Sequence, residues 1–140
     1  MSGTLNFKFI VDGENFTSAG EASVQVKKNL RSLGIAPDII RRISIAMYEG
    51  EINMVIHAGG GEAEVFVDPQ KITIVLTDNG PGIANVDLAM QEGFSTAPDN
   101  IRALGFGAGM GLPNMKRYTD EMKIETELGK GTKITMIVNL

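Results

Sequence analysis

Two apolar runs, Ala63 to Val67 and Ile72 to Leu76, are separated only by Asp68-Pro69-Gln70-Lys71. Four turn-forming residues close a hairpin, whereas parallel strands need a crossover of a dozen residues or more. Antiparallel pairing is therefore built in. Near the C-terminus, Lys123 to Glu127 and Lys133 to Val138 flank Leu128-Gly129-Lys130-Gly131 in the same manner. An opening strand is expected at Leu5 to Val11, where apolar and polar residues alternate at first. Between it and the first hairpin lie two helical patterns. One is expected to start at a Ser18 cap, with Glu21 three residues on, and to run to about Leu33. It would bury Ala22, Val24, Val26, Leu30 and Leu33 in part, and stop at Gly34. The other begins after Pro37, spans Asp38 to His57, and ends at Gly59-Gly60-Gly61. Beyond the hairpin come a short helix around Val86 to Gln91, a polar Gly-rich stretch from Glu92 to Gly109, and a helix from Met110 to Thr119. Pro113 suits the first turn of that last helix. The order of elements predicts an α+β two-layer sandwich, with a mixed, mostly antiparallel sheet and helices on one face.

At 140 residues the chain is expected to form one domain, residues 1–140, with no interdomain linker. A net charge of −4 argues against bulk attraction to nucleic acid or to an anionic membrane. The absence of cysteine excludes disulfides, thiolate metal sites and a cysteine nucleophile. The opening MSGTLNFKFIVDGENF lacks the basic flank and apolar core of a signal peptide, and no apolar run reaches the roughly 20 residues that span a bilayer. A cytoplasmic protein is expected.

Three stretches carry candidate chemistry. In "AMYEGEINMVIHAGGG", Glu49, Asn53 and His57 recur every four residues and so form one stripe along the second helix. Apolar residues occupy several sides of the same helix, so this stripe needs partners. The competing reading is an exposed polar stripe, paired i to i+4. His57 reads as a helix C-terminal residue facing the dipole, and Gly50 as a helix interruption costing about 1 kcal/mol against alanine. Next, "DNGPGI" follows a strand, yet no second strand comes after it, so a plain hairpin does not account for it. Finally, Gly105, Gly107, Gly109 and Gly111 alternate before a helix, where backbone N–H groups can approach an anion. Neither G-x-G-x-x-G nor a Walker loop is present. The segment from 92 to 109 is too long for an idle connection, which leaves a lid or a disordered segment. By local pattern alone, Gly129-Lys130-Gly131-Thr132 is a plain turn.

Taken in order, Glu-x-x-x-Asn on a long helix, Asp-x-Gly-x-Gly after a strand, glycines before a helix, and Gly-x-Gly-Thr before the last strand resemble the ATP-binding domain of the GHKL superfamily. That superfamily contains gyrase-type topoisomerases, heat-shock chaperones of the ninety-kilodalton class, histidine kinases and mismatch-repair ATPases. A free-standing domain of this length looks like the bacterial anti-sigma-factor kinases, which bind a sigma factor and phosphorylate a serine on a small antagonist protein.

The resemblance implies a role for each matching residue. Asp78 would accept a hydrogen bond from the exocyclic amine of adenine, with Gly80, Gly82 and Ile83 shaping the approach to the base and Thr132 sharing a water with it. Asn53 would bind Mg²⁺ through its side-chain oxygen, and Glu49 would act as general base on a serine hydroxyl or water. Gly105, Gly107, Gly109, Met110, Gly111 and Leu112 would close an ATP lid over the phosphates, with Ser95 and Thr96 at its start and Arg102 within it. The implied activity is an ATP- and Mg²⁺-dependent protein serine/threonine kinase with a sigma factor and an antagonist protein as partners, acting as a homodimer. Two alternatives stand beside it: a nucleotide-gated binding module without phosphotransfer, and a histidine-kinase-like catalytic domain acting in trans.

Overall fold

The computed structural model describes residues 5–13, 20–83, 86, 90 and 111–140. Five strands form one sheet: β1 (Leu5–Asp12), β2 (Gly60–Val67), β3 (Lys71–Asp78), β4 (Glu121–Glu127) and β5 (Gly131–Asn139). Their order across the sheet is β1-β2-β3-β5-β4, and every pairing is antiparallel. Helices α1 (Glu21–Ser32), α2 (Pro37–Ala58) and α3 (Gly111–Arg117) accompany the sheet, and Val86, also helical, accepts the N–H of Met90 at 3.0 Å. Alternation along the strands sends Ala63, Val65, Val67, Ile72, Ile74, Leu76, Ile134, Met136 and Val138 into the core. There they meet Val26 and Leu30 of α1, Ile43 and Met47 of α2, and Met115 of α3. The β2–β3 hairpin closes as expected, with Asp68 Oδ1 accepting the N–H groups of Gln70 and Lys71. Among the described residues no helix is long and apolar enough to cross a membrane.

Helix α1 departs from its expected form. Its buried stripe is Ala22, Ser23, Val26 and Leu30, whereas Val24 and Leu33 are exposed. The spacing of 22, 26 and 30 follows one helix face, and residue 24 lies about 200° away from residue 22. Gly34 does terminate it, with φ 76°. Ser18 lies outside the described residues. The cap position is Gly20, with φ 98° and no side-chain cap of its own. Helix α2 is buried on several sides, as expected, and Gly59 ends it in the left-handed region. Gly60 and Gly61, expected as further terminators, instead open β2. A Cβ on Gly61 would sit 2.4 Å from the Thr77 carbonyl oxygen, so the strands meet there without room for a side chain.

Candidate functional site

Asp78 ends β3, one pleat beyond Leu76, and so faces the helical layer. Its Oδ1 accepts the N–H of Gly80 at 2.9 Å and the N–H of Thr132, its register partner on β5, at 3.2 Å. No hydrogen bond to its Oδ2 occurs among the described residues. The following glycines are required by the chain's own packing. A Cβ on Gly80 would lie 2.6 Å from the Ala58 Cβ at the end of α2. Gly82 has φ 80°, and a Cβ there would lie 2.5 Å from the Glu127 carbonyl oxygen. The N–H of Gly129 donates to the Pro81 carbonyl at 2.9 Å, so the loop is tied to the β4–β5 turn.

Thr126, which no motif in the sequence marks, joins this group. Its Oγ1 accepts the N–H of Ile83 at 2.9 Å, lies 2.9 Å from Thr132 Oγ1, and donates to the Gly131 carbonyl at 3.2 Å. With that proton committed to Gly131, the Thr132 hydroxyl donates to Thr126, which leaves the lone pairs of Thr132 as acceptors. The available signal was the period-two match that sets Thr126 opposite Thr132. Thr132 is 8% exposed. A cavity of about 320 Å³ runs along the ends of β3, β4 and β5, bounded by Asp78, Thr126, Thr132, Lys130 and Lys133 among others. None of its walls comes from α2.

The second half of the site belongs to α2. Glu49 and Asn53 are both half-buried, so the exposed-stripe reading does not hold. Glu49 pairs with the Asn114 side chain of α3 rather than with Asn53. Burial raises its carboxyl above the ordinary carboxylate range, and the Asn114 hydrogen bond pulls it partly back. Gly111 opens α3 against this group, because a Cβ there would stand 3.7 Å from Glu49 Oε2. Asn53 makes no side-chain hydrogen bond among the described residues. Burial lowers His57, the third member of the stripe, from its usual value, against the pull of the helix dipole.

The two halves meet through packing. Gly50 lies between the Glu49 face and the sheet, and a Cβ on it would be 2.1 Å from Leu76 Cδ1. Farther along, a Cβ on Gly61 would contact Met54 Sδ of α2 at 2.9 Å and Asp78 Cβ at 3.2 Å. Asp78, Thr132, Glu49 and Asn53 thus share the helix-bearing side of the sheet. Leu112 puts its side chain into the core. Ser95, Thr96, Arg102, Gly105, Gly107, Gly109 and Met110 lie outside the described residues, as do the whole lid segment from 92 to 109 and most of the short helix expected at Val86 to Gln91.

Comparison with known proteins gives the family and the fold. Residues 38–140 match the family described as histidine kinase-, DNA gyrase B-, and HSP90-like ATPase. The chain is 31% identical over 137 residues to an anti-sigma F factor of Clostridium acetobutylicum, covering 94% of this chain and 90% of the relative. It is 34% identical over 121 residues to the serine/threonine-protein kinase RsbT of Bacillus subtilis, covering 83% and 85% of the two chains. Its fold matches that of the mycobacterial sensor histidine kinase MprB with a TM-score of 0.56 at 18% identity, over 96% of this chain and 97% of that one. The chain belongs to the histidine kinase-, DNA gyrase B- and HSP90-like ATPase family, in the branch that holds the anti-sigma F factors and the serine/threonine-protein kinase RsbT.

Proposed function

We propose that this chain is an ATP- and Mg²⁺-dependent protein serine/threonine kinase that binds a sigma factor and phosphorylates a small antagonist protein. The observation that carries this reading is the state of Asp78. Backbone N–H groups of Gly80 and Thr132 hold one carboxylate oxygen, and among the described residues nothing donates to the other, which is the oxygen a ligand's donor can meet. Adenine presents an exocyclic amine as that donor, whereas guanine presents a carbonyl at the same edge. A carboxylate therefore selects ATP over GTP. Thr132, whose lone pairs the Thr126 network leaves as acceptors, supports a water shared with the base.

At the other end, Asn53 offers a side-chain oxygen with no competing partner among the described residues, and a carboxylate lies one turn away. This is the hard oxygen donor set that Mg²⁺ prefers. When bound, the ion would neutralise charge on the triphosphate. Glu49 carries the proton chemistry: its raised carboxyl, directed at the start of α3, takes the proton from an attacking hydroxyl and returns it to solvent. The segment from 92 to 109, with Ser95, Thr96 and the alternating glycines, belongs to the same proposal as the lid over the phosphates.

The partners come from the relatives, an anti-sigma F factor and a serine/threonine-protein kinase. Pairing of two copies belongs with them and is tested by sedimentation. The decisive experiment incubates the chain with γ-labelled ATP, Mg²⁺ and the small proteins encoded beside it. Phosphoserine or phosphothreonine on one of them is the expected result. Phosphohistidine would move the chain to the histidine-kinase type, and ATP binding with no label would make it a nucleotide-gated binder.

A further inference from the structure

Glu51 takes no part in the proposed site, yet it is the most completely buried acidic side chain among the described residues, at 2% exposure. Its Oε2 accepts the N–H groups of Gly20 at 2.9 Å and Ala22 at 3.3 Å, and its Oε1 accepts that of Ser23 at 2.6 Å. These are donors that a helix start leaves without intrahelical partners. Helix α1 has no side-chain cap of its own, so a carboxylate from α2 caps it across 28 to 31 positions of sequence. A second contact reinforces the junction. A Cβ on Gly20 would lie 2.7 Å from Tyr48 Cε1, so the start of α1 is pressed onto α2 where only glycine fits.

Glu49, Gly50 and Glu51 point in three directions about 100° apart. The first faces Asn114 and Gly111 of α3, the second fits against Leu76 of β3, and the third grips α1. We propose that Glu51 is a positioning residue: by holding the start of α1 it sets the roll of α2 about its axis, and with it the aim of Glu49 and Asn53. The inference rests on the kinase reading above. Side-chain tips lie roughly 6 Å from a helix axis, so a roll of about 10° displaces Glu49 by about 1 Å. A misplacement of that size costs on the order of a hundredfold in rate. Asp78 stands on β3 and is held by backbone N–H groups, so it is insulated from the roll.

The test compares Glu51→Gln with Val138→Ala, a truncation in the sheet core far along β5. Both are assayed at a temperature where circular dichroism shows them folded, by ADP formation from MgATP and by calorimetric titration of ATP. For Glu51→Gln the expected result is a kcat lower by about tenfold or more, with KM and Kd for ATP within about threefold of wild type. Amide exchange at Gly20, Ala22 and Ser23 should also be faster, and Val138→Ala should keep the wild-type kcat. Should the Gln variant not fold, Glu51→Asp retains the charge with a shorter reach, and its kcat is expected to fall at constant ATP affinity. An unchanged kcat, a parallel loss of kcat and ATP affinity, or an equal loss in Val138→Ala would overturn the inference. A wild-type chain that forms no ADP would remove the kinase reading together with it; an active wild type and an equally active Glu51 variant would remove this inference alone.

Discussion

Asp78 and Glu49 are carboxylates at opposite ends of the candidate site, and they are held in different ways. Asp78 is fixed by main-chain donors from its own loop and from the neighbouring strand, so its position follows from sheet register. Glu49 is fixed by one side chain, Asn114, on a helix that three other elements hold in place. Burial also raises its carboxyl toward proton exchange. A group that must recognise one edge of a base gains from rigidity. A group that must accept a proton gains from a perturbed pKa and a partner that can yield. Under the proposed function, recognition falls to the sheet and reactivity to the helix, and each substitution below separates the two.

The largest effect is expected at the sheet end. Asp78→Asn keeps the Oδ1 acceptor for Gly80 and Thr132 but turns an amide donor toward the amine of adenine. A lost charged hydrogen bond corresponds to about 1.5–3 kcal/mol, or roughly ten- to a hundredfold in affinity, and the opposed donors add to it. Calorimetry should therefore find ATP binding lost in a folded protein; retained micromolar binding would dissolve the contrast. At the helix end, Glu49→Ala should bind ATP as wild type does and lose about 10²–10⁴-fold in kcat for ADP formation. A fully active variant would take the base away from Glu49. A smaller effect concerns the joint between the halves. Gly50→Ala gains up to about 1 kcal/mol of helix propensity but drives a methyl into Leu76, with an overpacking cost of about 1–3 kcal/mol. Urea unfolding should show net destabilisation, and a stabilised variant would mean that α2 does not sit this close to β3. The subtlest effect is a displacement on the pH axis. The Asn114 hydrogen bond favours charged Glu49, so Asn114→Ala should raise that carboxyl further. The base acts in its charged form, and the acidic limb of the rate profile should therefore move to higher pH. Movement to lower pH would contradict the pairing.

What was legible in the sequence divides along the same line. Hairpin spacing and strand alternation identified the sheet, because both signals are local and the core enforces them. The four-residue spacing of Glu49 and Asn53 correctly placed them on one face of a buried helix. The contact between Asp78 and Thr132 was not legible from local pattern, since the Gly129-Lys130-Gly131-Thr132 turn reads as ordinary; only the ordered motifs suggested it. Features that depend on contacts distant in sequence escaped. The cap of α1 comes from Glu51, some thirty residues on, so a search for a nearby serine could not find it. Gly50 reads as a helix defect until Leu76 is seen beneath it. Thr126 becomes a hub only when register sets it beside Thr132 and the loop returns the N–H of Ile83. Val24 and Leu33 show the converse, apolar residues whose helix face meets solvent.

The most direct measurement is a crystal structure of the chain with a non-hydrolysable ATP analogue and Mg²⁺. The exocyclic amine is expected within hydrogen-bond distance of Asp78 Oδ2, the Asn53 side-chain oxygen among the ligands of the metal, and Glu49 beside the γ-phosphate. A base seated against Lys130 and Lys133 on the outer side of the cavity, or a triphosphate running away from α2, would contradict it.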